Sequence, residues 1–518
     1  MKKVRKIVVS LFILAVFFTI VPVTSANAAA EKHYIISGKN IELTVTEGTD
    51  ISKDVNAALK EANARAMLSN EIYTVKLPEG TYYISESLKI KSNTVLDATG
   101  CTINSQNGTF NMIATGSAEE NLEATGYNGY QNITIKGGTW INSKSNKASG
   151  IRLCRGNHIT LENIDMSHGS EKHMVEMAAV QDVTITGCTF HDSDVKDARE
   201  KCEAIQIDIS ANRGAFSSIK YDGTPCKDIT ITGNTFENVS RGIGTHSMLL
   251  NSYIDNVKIL NNTFRHVTQE AVACVNYSNC TISGNTMEDV GGGILFHYSK
   301  TSNNSIYASV DDGNIPYEAP LQTNANTVIE NNTIVTRYHS LCDKNVAIEL
   351  YGRNIKKKAT AADQGVIPAA DYFVEGVTVR KNKITAAGYG IILNDAKNNQ
   401  IIGNTIVGAN YDPKDPDKGT YNGIRISNGS TGNVINDNRI SNIRQTGILI
   451  YDHSSATTVN GNTVKNCSAF GIRLNNHCKV TKSMKNNSVS KCPQGAIVAS
   501  KKTGCYVKGG IKKNKISG

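Results

Sequence analysis

The chain runs to 518 residues with a formal charge of +9, one Trp and an aromatic content of 6%, so its interior must be aliphatic and its basic bias is mild. It carries no basic run, no Cys-x-x-Cys pair and no His cluster at metal spacing, which argues against nucleic-acid binding and a zinc site. Length alone suggests several domains, but the repeats described below override that prior.

Residues 1–28 read as a secretory signal. Lys2, Lys3, Arg5 and Lys6 form a basic start, Ile7 to Val21 is an apolar run, and Ala26-Asn27-Ala28 fits a small-x-small cleavage site. The run is shorter than the roughly 20 residues a spanning helix needs, and Pro22 closes it. Cleavage removes four positive charges and no acidic one, leaving +5. An exported chain with no later membrane span is expected.

Residues 29–130 read as a cap and first coils. Asp50 to Asn70 has helical composition, with Ala57, Ala58, Leu59, Ala62, Ala66 and Leu68 on one apolar face. Short strands follow, broken by Pro78-Glu79-Gly80 and Ser92-Asn93. A solenoid's first coil exposes its apolar end, so the helix around Ala58 to Met67 is the expected cover.

From Asn132 the chain repeats one pattern across residues 131–518: an apolar strand, Gly-Asn-Thr-hydrophobe, then a strand opened by Gly-Ile. DITITGNTF ends at Phe236, NVKILNNTF at Phe264 and TTVNGNTV at Val464; their partners include EAIQI, GGILF, YGIIL and FGIRL. Ile424, Ile448 and Ile472 recur at 24-residue spacing. Repeats of that size with alternating strands predict an all-β solenoid, a parallel β-helix. Asn234, Asn262, Asn285, Asn332, Asn382, Asn404, Asn438 and Asn462 hold one register. Asn tolerates the left-handed conformation of a sharp turn, and stacked amides predict an Asn ladder. That geometry also explains the recurring Asn-X-Thr better than glycosylation does.

The chain's 12 cysteines are mostly single, with Cys188 in the ladder register itself. Cys202 with Cys226, and Cys492 with Cys505, are the two candidate disulfides. Insertions at 191–201, 211–227, 248–255, 301–324, 354–375 and 409–420 crowd the middle coils. Long loops on a rigid repeat usually build the binding face.

With the Gly-Ile isoleucines turned inward, alternation points Glu176, Gln206, Asp208, His246, His297, Glu349, Tyr351 and Asn394 outward. Arg425, Tyr451, Arg473 and Asn475 follow in later coils. Most such residues simply form a wet face. Glu176, Gln206, Asp208 and His246 differ in falling on three successive coils, flanked by Lys172, His173, His191, Asp192, Asp194, Glu203 and Arg241.

The helix, KLPEGTYYI, LKIKSNTVLDATG and the stacked VTITGNTF-type coils together resemble the pectate-lyase-like superfamily of right-handed parallel β-helix proteins. The resemblance covers essentially the whole mature chain. It implies a right-handed, single-stranded parallel β-helix with an N-terminal helical cap, and a polysaccharide as ligand. Members include hydrolases, lyases, epimerases and non-catalytic surface proteins, so three readings stay open. In the first, Asp208 and Glu176 cleave an acidic polysaccharide hydrolytically with His246 tuning the acid. A step of one coil (about 4.8 Å) and two residues (about 6.7 Å) separates these carboxylates by roughly 8 Å, inside the window of about 6.5–9.5 Å for inverting hydrolysis. EAIQIDIS followed by RGIGTHS is similar in order to the Asp-bearing and Gly-His strands of polygalacturonase-like members, although those carry several close Asp residues and this strand one. Gln206, Arg241, His297, Tyr298 and Tyr351 are the expected substrate-binding residues. The second reading is a lyase with His246 or His297 as base and Ca²⁺ held by Glu176, Glu203 and Asp208; otherwise no cofactor or metal is expected. The third is a glycan-binding surface protein without turnover. A monomer without nucleic-acid partners is expected throughout.

Overall fold

The computed structural model describes residues 32–517, apart from 170–171, 195–202, 212–215, 246–247, 250–252, 299–305, 308–323, 341, 343, 355–370 and 410–421. The signal segment, His246 and Cys202 therefore lie outside the described residues.

The repeated sentence folds as a right-handed parallel β-helix. Each coil lays one strand on each of three long sheets: sheet A, sheet B and sheet C, of 18, 15 and 14 strands. One coil shows the path: Lys227–Thr232 lies on sheet A, Thr235–Glu237 on sheet B and Arg241–Gly244 on sheet C. Every pairing between successive repeats is parallel, as in Ile348 with Ile391, Ile391 with Ile424, and Ile424 with Ile448. These isoleucines are fully buried and form one continuous aliphatic column. On sheet B the same stacking aligns Phe190, Phe236 and Phe264, with ring centroids 5.4 and 4.6 Å apart.

The corner between sheets A and B is uniform, taking two residues in every coil from Gly137-Gly138 to Asn486-Asn487. Its second residue builds the ladder. Asn234 Nδ2 donates to Asn262 Oδ1 at 3.0 Å, Asn262 to Asn285 at 3.0 Å, and the chain of amides continues through Asn404 and Asn438 to Asn487 and Asn514. Cys188 continues it downward, its N–H donating to Asn234 Oδ1 at 2.9 Å. The left-handed residue is not the ladder Asn but the one before it: Gly233 (φ 65), Asn261 (φ 53), Gly284 (φ 69) and Gly403 (φ 66). The ladder Asn is selected for its buried amide, which must be satisfied.

α1 (Ser52–Ser69) covers the N-terminal end with Val55, Ala58, Leu59, Ala62 and Ala66 buried. Leu68, expected on that face, is 90% exposed. The antiparallel hairpin Tyr34–Ser37 and Asn40–Leu43 extends sheet A beyond the cap. Neither candidate disulfide is present among the described residues: Cys226, Cys492 and Cys505 are free thiols. No helix among the described residues is long and apolar enough to cross a membrane.

Candidate functional site

Insertions avoid the ladder corner and collect at the two corners that bound sheet C. Residues 192–202, 337–345 and 409–421 join sheet B to sheet C, while 209–226, 245–253, 298–326 and 352–376 join sheet C to sheet A. Sheet C is therefore a floor with loops on both sides.

Its N-terminal end is closed by a strap. Phe216 and Ile219, from the 209–226 connection, pack on Cys154 and Ala178 of the floor. Arg155 is fully buried and its Nη1 donates to both carboxylate oxygens of Asp222 at 2.9 Å. Burial alone would raise the Asp222 pKa. The Gly126 N–H, the Ser210 and Thr224 donors and Arg155 outweigh it and bring it to about 2. α2 (Ala118–Glu123) opens the partner loop, from which the Tyr127 hydroxyl donates to the Pro225 carbonyl at 2.9 Å.

On the floor, Glu176 pairs in register with Gln206, and Ala178 with Asp208. The offset of one coil and two residues between Glu176 and Asp208 thus stands. Their environments differ from a wet face. Glu176 accepts from Ser149 Oγ at 2.8 Å and Arg152 Nε at 3.3 Å. Asp208 is fully buried and accepts from Gln206 Nε2, so the expectation that it faces solvent is corrected.

Arg241 is not left for a ligand to find unopposed. Its guanidinium reaches Glu203 and Glu270, each at 2.8 Å, and Gln269 at 3.1 Å. Burial disfavours its charge, but the two glutamates reverse that and hold its pKa above the ordinary arginine value. Gly244 leaves room for this pair: a Cβ there would come 2.4 Å from Glu203 Cγ. His173 extends the column, 3.2 Å from Glu203.

His297, Tyr351 and Asn394 stack in register on the next coils. His297 is 3% exposed, and its ring lies 6.5 Å from that of Tyr351. Glu349 accepts from Lys344 at 2.7 Å and from Asn394 at 3.2 Å. Tyr298 is the clear correction among the expected sugar-contacting residues. It points into the core, packs on Phe296 and donates to the Tyr277 carbonyl at 3.3 Å, as alternation after an outward His297 requires.

A second feature was only partly legible in the sequence, through Asp192 and Asp194. A cleft of about 970 Å³ opens where sheet B turns into sheet C, lined by Asp192, Asp194, His168, His266, Arg337 and their neighbours. His191 beside it bridges Asp165 at 2.8 Å and Asp192 at 2.7 Å. Burial opposes its protonation, but those carboxylates raise its pKa above the ordinary histidine value. His168 and His266 fall at corner positions outside the strand pattern, so alternation gave no signal for them.

Residues 157–411 match the family model described as periplasmic copper-binding protein (NosD), and residues 372–511 match that described as right handed beta helix region. Over 272 residues the chain is 24% identical to plasmin and fibronectin-binding protein A of Streptococcus pneumoniae, covering 46% of this chain and only 37% of that relative. The crystal structure of PfbA, a surface adhesin of Streptococcus pneumoniae, superposes with a TM-score of 0.55 at 19% identity, covering 83% of this chain and 91% of that one. The tailspike protein of E. coli bacteriophage HK620, in complex with a pentasaccharide, superposes at 0.51 with 10% identity, covering 92% and 76%. Such likenesses establish the fold. Among the described residues no three His, Cys, Asp or Glu side chains converge as metal ligands.

Proposed function

We propose, for a chain that belongs to the right-handed parallel β-helix superfamily, that it is an exported glycan-binding protein whose receptor face is the outer surface of sheet C. One observation carries this reading: the variable loops flank sheet C on both sides, while the ladder corner stays at two residues. The floor chemistry agrees. Glu176, Glu270 and Glu349 are held by Arg152, Arg241 and Lys344, and oriented, charge-neutralised carboxylates suit sugar hydroxyls. Tyr351 offers an aromatic surface for a ring face. The printed description of PfbA as a surface adhesin, and the pentasaccharide bound to the tailspike, are compatible with such a role at or beyond the cell surface.

The register offset of Glu176 and Asp208 favours a second reading, inverting hydrolysis by that pair of carboxylates. A single assay separates the two. The mature chain is incubated with plant, algal and host polysaccharides, and retention, reducing ends and unsaturated-uronate absorbance are measured. Retention without new ends supports binding alone. Release of reducing ends that Asp208→Asn lowers by roughly 10²-fold or more supports hydrolysis. Chelator-sensitive unsaturated products support elimination, and a panel with neither retention nor products refutes the glycan reading.

A further inference from the structure

Toward its C-terminal end, sheet C carries two arginines, Arg425 and Arg473, that no carboxylate among the described residues pairs with. Arg425 stands between Ile392 and Leu449 in its outward column, so its neighbours one coil away are apolar. Its guanidinium carbon sits 5.9 Å from the Tyr389 ring centre and 5.6 Å from that of Tyr451. Its Nε is buried without a hydrogen-bond partner. Three residues earlier, Asn422 is 1% exposed, and its Oδ1 likewise has no partner. Asn422 lies in the column of Tyr389, two residues before Ile424 as Tyr389 is before Ile391.

The pattern recurs two coils on. Arg473 follows Leu449 in the same column and stacks on Phe470, 4.3 Å from its ring centre. A half-buried guanidinium with an aromatic face below it and no carboxylate opposite among the described residues is ready for an anion, and a planar carboxylate fits its paired N–H groups. Two coil steps of about 4.8 Å put the two arginines about 9.6 Å apart along the axis, with the apolar Leu449 between them. A polymer charged on every ring would set a carboxylate against Leu449.

We infer that the Tyr389–Arg425–Tyr451 and Phe470–Arg473 pairs form an anionic-sugar subsite for a linear glycan whose uronate alternates with an uncharged sugar. The glycan lies along the helix axis on sheet C, with Arg425 and Arg473 each taking one carboxylate and Asn422 Oδ1 accepting from a hydroxyl or N–H of the same chain. This rests on the sheet C reading above and names the class of ligand for its C-terminal half.

The test is calorimetric binding of size-matched hexasaccharides to the full mature chain: alternating glucuronate–N-acetylglucosamine, its sulfated form, a neutral counterpart and a homopolymeric uronate. The alternating uronate should bind most tightly and weaken as salt rises. Arg425→Gln and Arg473→Gln should each lose at least about tenfold, and Arg425→Lys should restore only part, because lysine lacks the planar fork. Unchanged far-ultraviolet dichroism checks that the variants are folded. Equal binding of the uronate by parent and both glutamine variants overturns the subsite while leaving the sheet C reading intact. Arginine-dependent binding of the sulfated form alone overturns the carboxylate assignment, and preference for the homopolymer overturns the alternating spacing. A parent that binds none of the probes and no polysaccharide of the wider panel overturns the reading beneath it.

Discussion

Replacing Asn404 by alanine cuts the amide ladder in the middle of the solenoid. Asn404 Oδ1 accepts from both the N–H and the Nδ2 of Asn382 at 3.0 Å. Its Nδ2 donates to the Val379 carbonyl and to Asn438 Oδ1, each at 3.0 Å. Asn438 Oδ1 keeps the Asn404 backbone donor at 3.0 Å, so it stays satisfied. The Asn382 N–H, one of its amide protons and the Val379 carbonyl are left without partners in a corner where Asn382 and Asn404 are fully buried. At about 1–3 kcal/mol per buried orphan, with some relaxation, the local cost is about 3–6 kcal/mol. Solenoid stability is a sum over neighbouring coils, so the loss should appear as local opening. Hydrogen exchange read by mass spectrometry should show protection in Val377–Arg380, Gln400–Ile402 and Asn433–Asn436 falling by at least about 10², while Thr94–Asp97 is unchanged. Lys383→Ala, at an exposed strand position of ordinary backbone conformation, should shift nothing beyond about 0.5 kcal/mol. Protection within about fivefold of the parent after Asn404→Ala, equivalent to about 1 kcal/mol, would refute the claim that the buried amides hold the coils in register.

Three further outcomes follow from named contacts. Asp222→Asn should destabilise the strap by about 2 kcal/mol at neutral pH, because the folded carboxyl sits at about 2 against its ordinary 3.8. That contribution is complete above about pH 4 and fades as pH falls through about 2, so pH-dependent unfolding of parent and variant should converge in acid; a pH-independent gap would contradict it. Tyr298→Phe should cost about 1 kcal/mol for the lost bond to the Tyr277 carbonyl at 3.3 Å and leave glycan affinity unchanged, since the ring is in the core; a tenfold loss of affinity would return it to the binding face. Of the described cysteines, Cys492 alone is not buried, and native-state labelling mapped by mass spectrometry should modify it first; faster labelling of Cys274 or Cys280 would contradict their burial.

Much of the fold is legible because repetition multiplies a weak local signal. The Gly-Ile strands and the ladder register fall where the 24-residue spacing puts them, and period-2 alternation correctly pairs Glu176 with Gln206 and sets Asp208 two residues on. Asn487 and Asn514 extend the ladder, although their motifs, NNSV and NKIS, depart from the Gly-Asn-Thr pattern that defined the series. Alternation also turns Tyr298 inward, and its aromatic identity alone suggested otherwise. Burial of the candidate site was not legible, because it depends on long-range closure. Phe216 and Ile219 fold back over Cys154 and Ala178, and Arg155 finds Asp222 67 residues away. Arg425 was visible as an outward residue, but its apolar column neighbours, Ile392 and Leu449, emerge only from the register.

The central claim is that glycan occupies the outer face of sheet C, and a crystal structure of the mature chain with a retained oligosaccharide tests it directly. The sugar should run across the strands Val346–Tyr351, Tyr389–Asn394, Asn422–Ser427 and Thr446–Tyr451, with rings over Tyr351 or Tyr451 and an acidic group on Arg425. Density for the sugar on the outer face of sheet A or sheet B, with sheet C bare, would contradict the account.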